Sequence, residues 1–136
     1  MLKNLSNPAV IAQCLTSLFL AILFLQSGLD KVLNFKSNLS WLEGHFSKTF
    51  LKGLVPFLLA TLTVTEVLAG ALSLLGTAQI FIFNQKTFAL YGAELSALSV
   101  VMLFFGQRIA QDYAGAASLV PYFLVSIGAI LLLGFA

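Results

Sequence analysis

Apolar residues in this chain come in long runs separated by short polar clusters. The first run extends from Ala9 to about Leu29, directly after Pro8. Proline suits the first turn of a helix, where the amide it lacks has no partner. A second run covers Val55–Gly76, a third Phe88–Arg108 and a fourth Ser118–Phe135. About 20 apolar residues rising 1.5 Å each cross a hydrocarbon core, so each run is of membrane-spanning length. Helices are therefore expected over about 8–29, 55–76, 88–108 and 118–135, with Ile80–Phe83 extending the second or lying at the interface. Between the first two runs, Ser40-Trp41-Leu42-Glu43 fits a capping box, with Ser40 as N-cap and Glu43 three residues on. Leu42, Phe46 and Phe50 then recur every fourth residue, and Trp41 suits the interface. The pattern predicts an all-α, integral membrane four-helix bundle, a single domain with an amphipathic interfacial segment between helices 1 and 2.

Composition agrees. Of 136 residues, 60% are hydrophobic and only 9% charged, where soluble domains carry about 25% charged residues. The net charge of +2 leaves no footprint for nucleic acid. One cysteine, Cys14, excludes an internal disulfide or a Cys-x-x-Cys pair. One histidine, His45, excludes bis-histidine haem ligation within a chain. No glycine-rich phosphate loop appears and no metal site is expected. Lys31, Lys36, Lys48, Lys52 and Arg108 fall on the face of the first and third loops, with Lys3 and Lys86 on the other. The positive-inside rule then turns the first face to the cytoplasm.

The chemistry-bearing residues are the polar groups inside the spans. Glu66 lies about 16 Å along the second run, where an acid costs roughly 2–3 kcal/mol or more unless neutral, paired or turned towards protein. Helices 2 and 3 are joined by a short connection, so Glu94 is expected to share a polar pocket with Glu66. Burial disfavours a charged carboxyl, and Glu66 is expected to be a neutral acid there. Gln26 is the third candidate for this ligand or proton site. Asp30, Lys31, Arg108 and Asp112 fall at one depth and are expected to form an ion-pair cluster. Gly70, Ala71, Ser73 and Gly76, with Ala89, Ala93, Ala97, Gly92 and Ser96, supply ridges that let helices approach closely. Unrelated buried hydrogen bonds are the plainer alternative for the polar groups.

The end of the first run, Phe24-Leu25-Gln26-Ser27-Gly28-Leu29-Asp30-Lys31-Val32-Leu33, followed by an amphipathic segment, resembles the DoxX family signature. So does a glutamate opening a glycine-containing half-helix, here Glu66-Val67-Leu68-Ala69-Gly70 through Gly76. The resemblance covers nearly the whole chain and rests on Gly28, Lys31 and Glu66. It implies a multi-pass protein of the bacterial inner membrane, allied to redox complexes such as a thiosulfate:quinone oxidoreductase, with quinone as the implied ligand. Wider relatives use cysteine pairs, a chemistry that Cys14 alone cannot perform.

Three functions stay open. The chain is a quinone-linked subunit of a membrane redox system, using a buried carboxyl to manage protons. Alternatively it is a non-enzymatic accessory subunit docking another membrane protein, or a small proton conduit or transporter. Besides the lipid bilayer, the expected partner is another membrane protein or a second copy of the chain.

Overall fold

The computed structural model describes residues 6–135; Lys3, counted above for orientation, lies outside them. The described residues are all-α, with four helices long and apolar enough to cross a membrane. This is a multi-pass membrane protein.

Helix α1 runs Pro8–Leu33, with the Asn7 side chain accepting from the Ala9 amide at 3.0 Å to cap its start. It continues four residues past the expected end at 29, since Asp30–Leu33 contains no glycine or proline to stop it. Asn34 closes α1 and at once opens α2, Phe35–His45. Ser40 therefore lies inside α2, and the expected capping box at Ser40 and Glu43 is not formed. The helix ends at His45, so the spacing of Leu42, Phe46 and Phe50 outlives it: Phe50 lies beyond α2 and is exposed. A 3₁₀ turn, Lys52–Leu54, leads into α3, Val55–Phe83. That helix takes in Ile80–Phe83 and stops at Asn84, whose φ of 53° is a left-handed conformation that asparagine tolerates well.

Helix α4 covers Thr87–Ile109. The fourth span begins earlier than Ser118, as a short α5, Tyr113–Ser118, followed by α6, Val120–Phe135. The helix breaks at Leu119 for a local reason. Pro121 has no amide to offer the Ala117 carbonyl one turn back.

Helix α3 packs against α1 on one side and α4 on the other, while α6 packs on α4 and also meets α1. Helices in lipid gain nothing from expelling water from one another, so close contact and interhelical hydrogen bonds hold them. The small residues supply both. A Cβ on Gly28 would strike Val67, and one on Gly70 would strike the Leu25 backbone, which fixes the α1–α3 register. Across α3–α4, Gly76 abuts Ala89 and Gly92 abuts Ser73. The ridges on α3 and α4 are thus used inside the bundle, not offered to a partner. The Ser17 hydroxyl donates to the Ser73 carbonyl at 2.7 Å, and Gln13 Nε2 donates to the Leu132 carbonyl at 3.2 Å. The second bond places the start of α1 and the end of α6 at the same end of the bundle.

Candidate functional site

The α1–α3 register creates an unfilled volume. With Gly28 beside Val67, α1 ends roughly two turns short of the level at which α3 begins. The start of α3 and the end of α4 project past α1, and α2 folds across the space between them. The result is a chamber of about 530 Å³. Phe57, Leu58 and Leu62 of α3, Met102 and Phe105 of α4, and Trp41, Leu42 and Phe46 from the α2 region supply its apolar wall. Lys31, Asn38, Thr61 and Gln107 are its polar members.

Lys31 gives the chamber its chemistry. Its ammonium lies 3.0 Å from Glu66 Oε2 and donates to Ser27 Oγ at 2.9 Å. Ser27 Oγ in turn donates to the same Glu66 oxygen at 2.9 Å. Ser27 and Lys31 are one helical turn apart, so they share a face of α1. That face meets Glu66 because Gly28 lets α3 come close. Glu66 is wholly buried and does not line the chamber, while the Lys31 side chain is 16% exposed and does. Within the pair, Glu66 Oε1 has no hydrogen-bond partner. Buried polar atoms are nearly always paired, so this oxygen is the one unsatisfied acceptor of the Ser27–Lys31–Glu66 triangle.

This arrangement corrects the expected one. The partner of Glu66 is Lys31, not Glu94, so a basic group lies beside the acid in place of a second carboxyl. The depth estimate misled because it measured Glu66 from the start of α3, whereas α1 ends deeper. Glu94 is exposed on the outer face of α4, and Gln26 is exposed on α1. Neither faces Glu66. Gln26 precedes Ser27 by one residue, and a helix turns about 100° per residue, so only one of them can face α3.

The expected cluster of Asp30, Lys31, Arg108 and Asp112 is dispersed. Asp30 Oδ1 accepts from the Asn34 side chain at 3.0 Å. The Arg108 guanidinium lies over the Tyr113 ring, 4.4 Å from its centroid. Asp112 caps α5 by accepting from the Gly115 amide at 2.9 Å. Arg108 and Asp112 are not on one helix, because α4 ends at Ile109 and Gln111 takes a left-handed turn with φ 59°.

Three features escaped the sequence reading. Ser27 belongs to the ion-pair triangle, and its four-residue spacing from Lys31 was the available signal. The chamber has no local signature, since it follows from a register between helices. His45 is a cross-link between helices. Its Nε2 is 3.1 Å from Gln107 Oε1 and 3.9 Å from Asp112 Oδ2, and its ring stacks on Trp41 with centroids 4.6 Å apart. It ties α2, the chamber's cover, to the end of α4. Among the described residues, no group of three or more His, Cys, Asp or Glu side chains is placed to hold a metal ion.

No protein-family model matches this chain, and neither a curated protein nor a solved structure gives a significant match.

Proposed function

We propose that this protein binds a lipophilic molecule of the quinone class in the chamber beneath α2, as a subunit of or accessory to a redox system of the bacterial inner membrane. One observation carries the reading: Lys31 belongs at once to the wall of an apolar chamber and to a buried ion pair. Ligand sites are typically apolar cavities of 300–1,000 Å³ or so with a few placed polar groups, and this one is of that kind. An ammonium has three N–H donors. Two of those of Lys31 engage Ser27 and Glu66, leaving one for a carbonyl oxygen of a ligand ring. Trp41, Phe46, Phe57 and Phe105 offer aromatic surface to the ring and its apolar tail.

Quinone chemistry couples electrons to protons. Lys31 and Glu66 are suited to the proton half, as paired groups able to pass a proton between a ligand oxygen and the bundle interior. Electrons come from a partner protein in this reading. The DoxX-like pattern of Gly28, Lys31 and Glu66 supports it, because those residues form the close contact and the ion pair beside the chamber.

The test is purification in mild detergent, followed by solvent extraction and mass spectrometry of what co-purifies. Quinone should be retained by the native chain and depleted at least tenfold in Lys31→Met/Glu66→Leu, which removes the pair without stranding a charge. Equal recovery from both chains, or phospholipid with no quinone, would sink the proposal.

A further inference from the structure

Polar side chains in the spans obey a rule with few exceptions. Gln13, Ser17, Thr63, Glu66, Ser73, Ser96, Ser99 and Ser126 are buried. Thr61 and Thr65, less enclosed, bond to the carbonyl four residues back on their own helix. Glu94 does neither. It is exposed on α4, seven residues past Thr87 and so about 10 Å inside the span. No hydrogen bond or ion pair within the described residues reaches it. One turn before it on the same face, Tyr91 is 52% exposed, and its hydroxyl is also without a partner among the described residues. Leu98 continues this outward face four residues on, before α4 reaches the chamber wall at Val101 and Phe105.

We infer that the outward face of α4 is the contact between two copies of this chain, joined by reciprocal hydrogen bonds from Tyr91 of each copy to Glu94 of the other. The face carries a donor and an acceptor one turn apart, which is the self-complementarity an isologous two-fold contact requires. Two copies inserted with the same topology are related by an axis along the membrane normal, so each Tyr91 lies about 4.5 Å along the axis from the other copy's Glu94, within reach of its long side chain. A partner supplying a base is the alternative occupant. The described residues offer no such base, since Lys31 is held by Glu66 and Lys36, Lys48, Lys52, Lys86 and Arg108 all lie at or beyond the span ends. Inside hydrocarbon, where an acid is costly alone, the reciprocal pair gives Glu94 a donor and Tyr91 an acceptor.

The test begins with Leu98→Cys in a Cys14→Ser chain, oxidised in native membranes. Disulfide-linked dimers are expected, and Leu124→Cys, on the exposed surface of α6, should give none. Native mass spectrometry from mild detergent should show dimers of the unaltered chain. Tyr91→Phe and Glu94→Leu should each weaken association about 3- to 30-fold, the range that interhelical hydrogen bonds give in membranes. Glu94→Gln should stay within about threefold, because its amide oxygen still accepts from the phenol. An unaltered chain that is monomeric throughout overturns the inference. So does cross-linking at Leu124 in place of Leu98, or a Leu98→Cys chain that links only to a different membrane protein.

Discussion

Glu66 and Glu94, the acids deepest in the membrane spans, occupy opposite situations. Glu66 on α3 is sealed between helices, 3.0 Å from the Lys31 ammonium and 2.9 Å from the Ser27 hydroxyl. Glu94 on α4 faces outward and bonds to nothing among the described residues. Their immediate neighbours differ little in composition, both being small and apolar residues. What separates them is which helix lies opposite. Gly28 and Gly70 bring α1 onto the face of α3 that carries Glu66, while the buried side of α4 is its Ala89, Ala93 and Ser96 face, turned away from Glu94. An acid in a membrane helix is therefore defined by the seam it falls on, not by its depth.

The largest expected effect comes from stranding a charge. Glu66→Leu leaves the Lys31 ammonium at the chamber wall without its counter-charge and with only Ser27 beside it, and should destabilise the bundle by about 3–5 kcal/mol. Lys31→Met strands the carboxylate and should cost a similar amount. The double change Lys31→Met/Glu66→Leu should recover most of the loss, because apolar groups replace both charges. Reversible unfolding in mixed detergent micelles measures all of these. A double variant as unstable as the sum of the singles would mean that the pair is not the partnership seen here.

Next comes the packing that makes the pair accessible. Gly28→Ala and Gly70→Ala each place a methyl against the opposite helix, and the backbone of Leu25 cannot yield to the second. Losses of about 1–3 kcal/mol are expected, the usual penalty for overpacking. Gly128→Ala is the control, since nothing lies within 4 Å of its added methyl. That change should be neutral or stabilising by up to about 1 kcal/mol, the helix preference of alanine over glycine. Equal effects at Gly70 and Gly128 would remove the close α1–α3 contact on which the comparison depends.

A smaller effect is expected at the chamber's cover. His45→Ala removes the contact to Gln107 and the stack on Trp41, and should cost about 1 kcal/mol in stability. Its stronger signature is local. Hydrogen exchange should quicken across α2 while α3 and α4 keep their protection. Unchanged exchange in α2 would mean that His45 does not hold the cover.

How far the sequence disclosed all this varies with the kind of feature. The spans were legible because apolar length is a property of the residues alone. Glu66 stood out for the same reason, as an acid where lipid tolerates none. Its partner did not, because pairing Lys31 with Glu66 requires knowing that α1 stops short of α3, and that offset comes from contacts between Gly28 and Val67, far apart in the chain. Asp30, Arg108 and Asp112 were expected at one depth, yet α1 stops short of the end of α4, and the turn at Gln111 and the direction of each helix face send them to separate partners. Asn34 illustrates a local miss: a residue that closes one helix and opens the next, where Ser40 and Glu43 offered a more familiar cap.

The smallest effect is expected at Glu94, and its smallness is the sharpest test of the contrast. Folding of a membrane helix bundle starts from helices already inserted in lipid. Glu94 faces outward in the assembled chain and faces lipid in the separated helices, so its cost enters both states and cancels. Glu94→Leu should therefore shift the unfolding free energy of the single chain by no more than about 0.5 kcal/mol, the range of changes remote from any packed feature. The measurement belongs at low ratios of protein to detergent, where copies do not associate. Insertion behaves differently, because leucine removes an acid from hydrocarbon, and the change should favour membrane insertion of α4 by about 2–3 kcal/mol. Glu66→Leu should favour insertion of α3 by a similar amount yet weaken the folded bundle. The same substitution at two acids then gives matching insertion effects and very unequal folding effects. A loss of several kcal/mol from Glu94→Leu in the single chain would place that side chain inside the bundle, as the sequence alone had suggested.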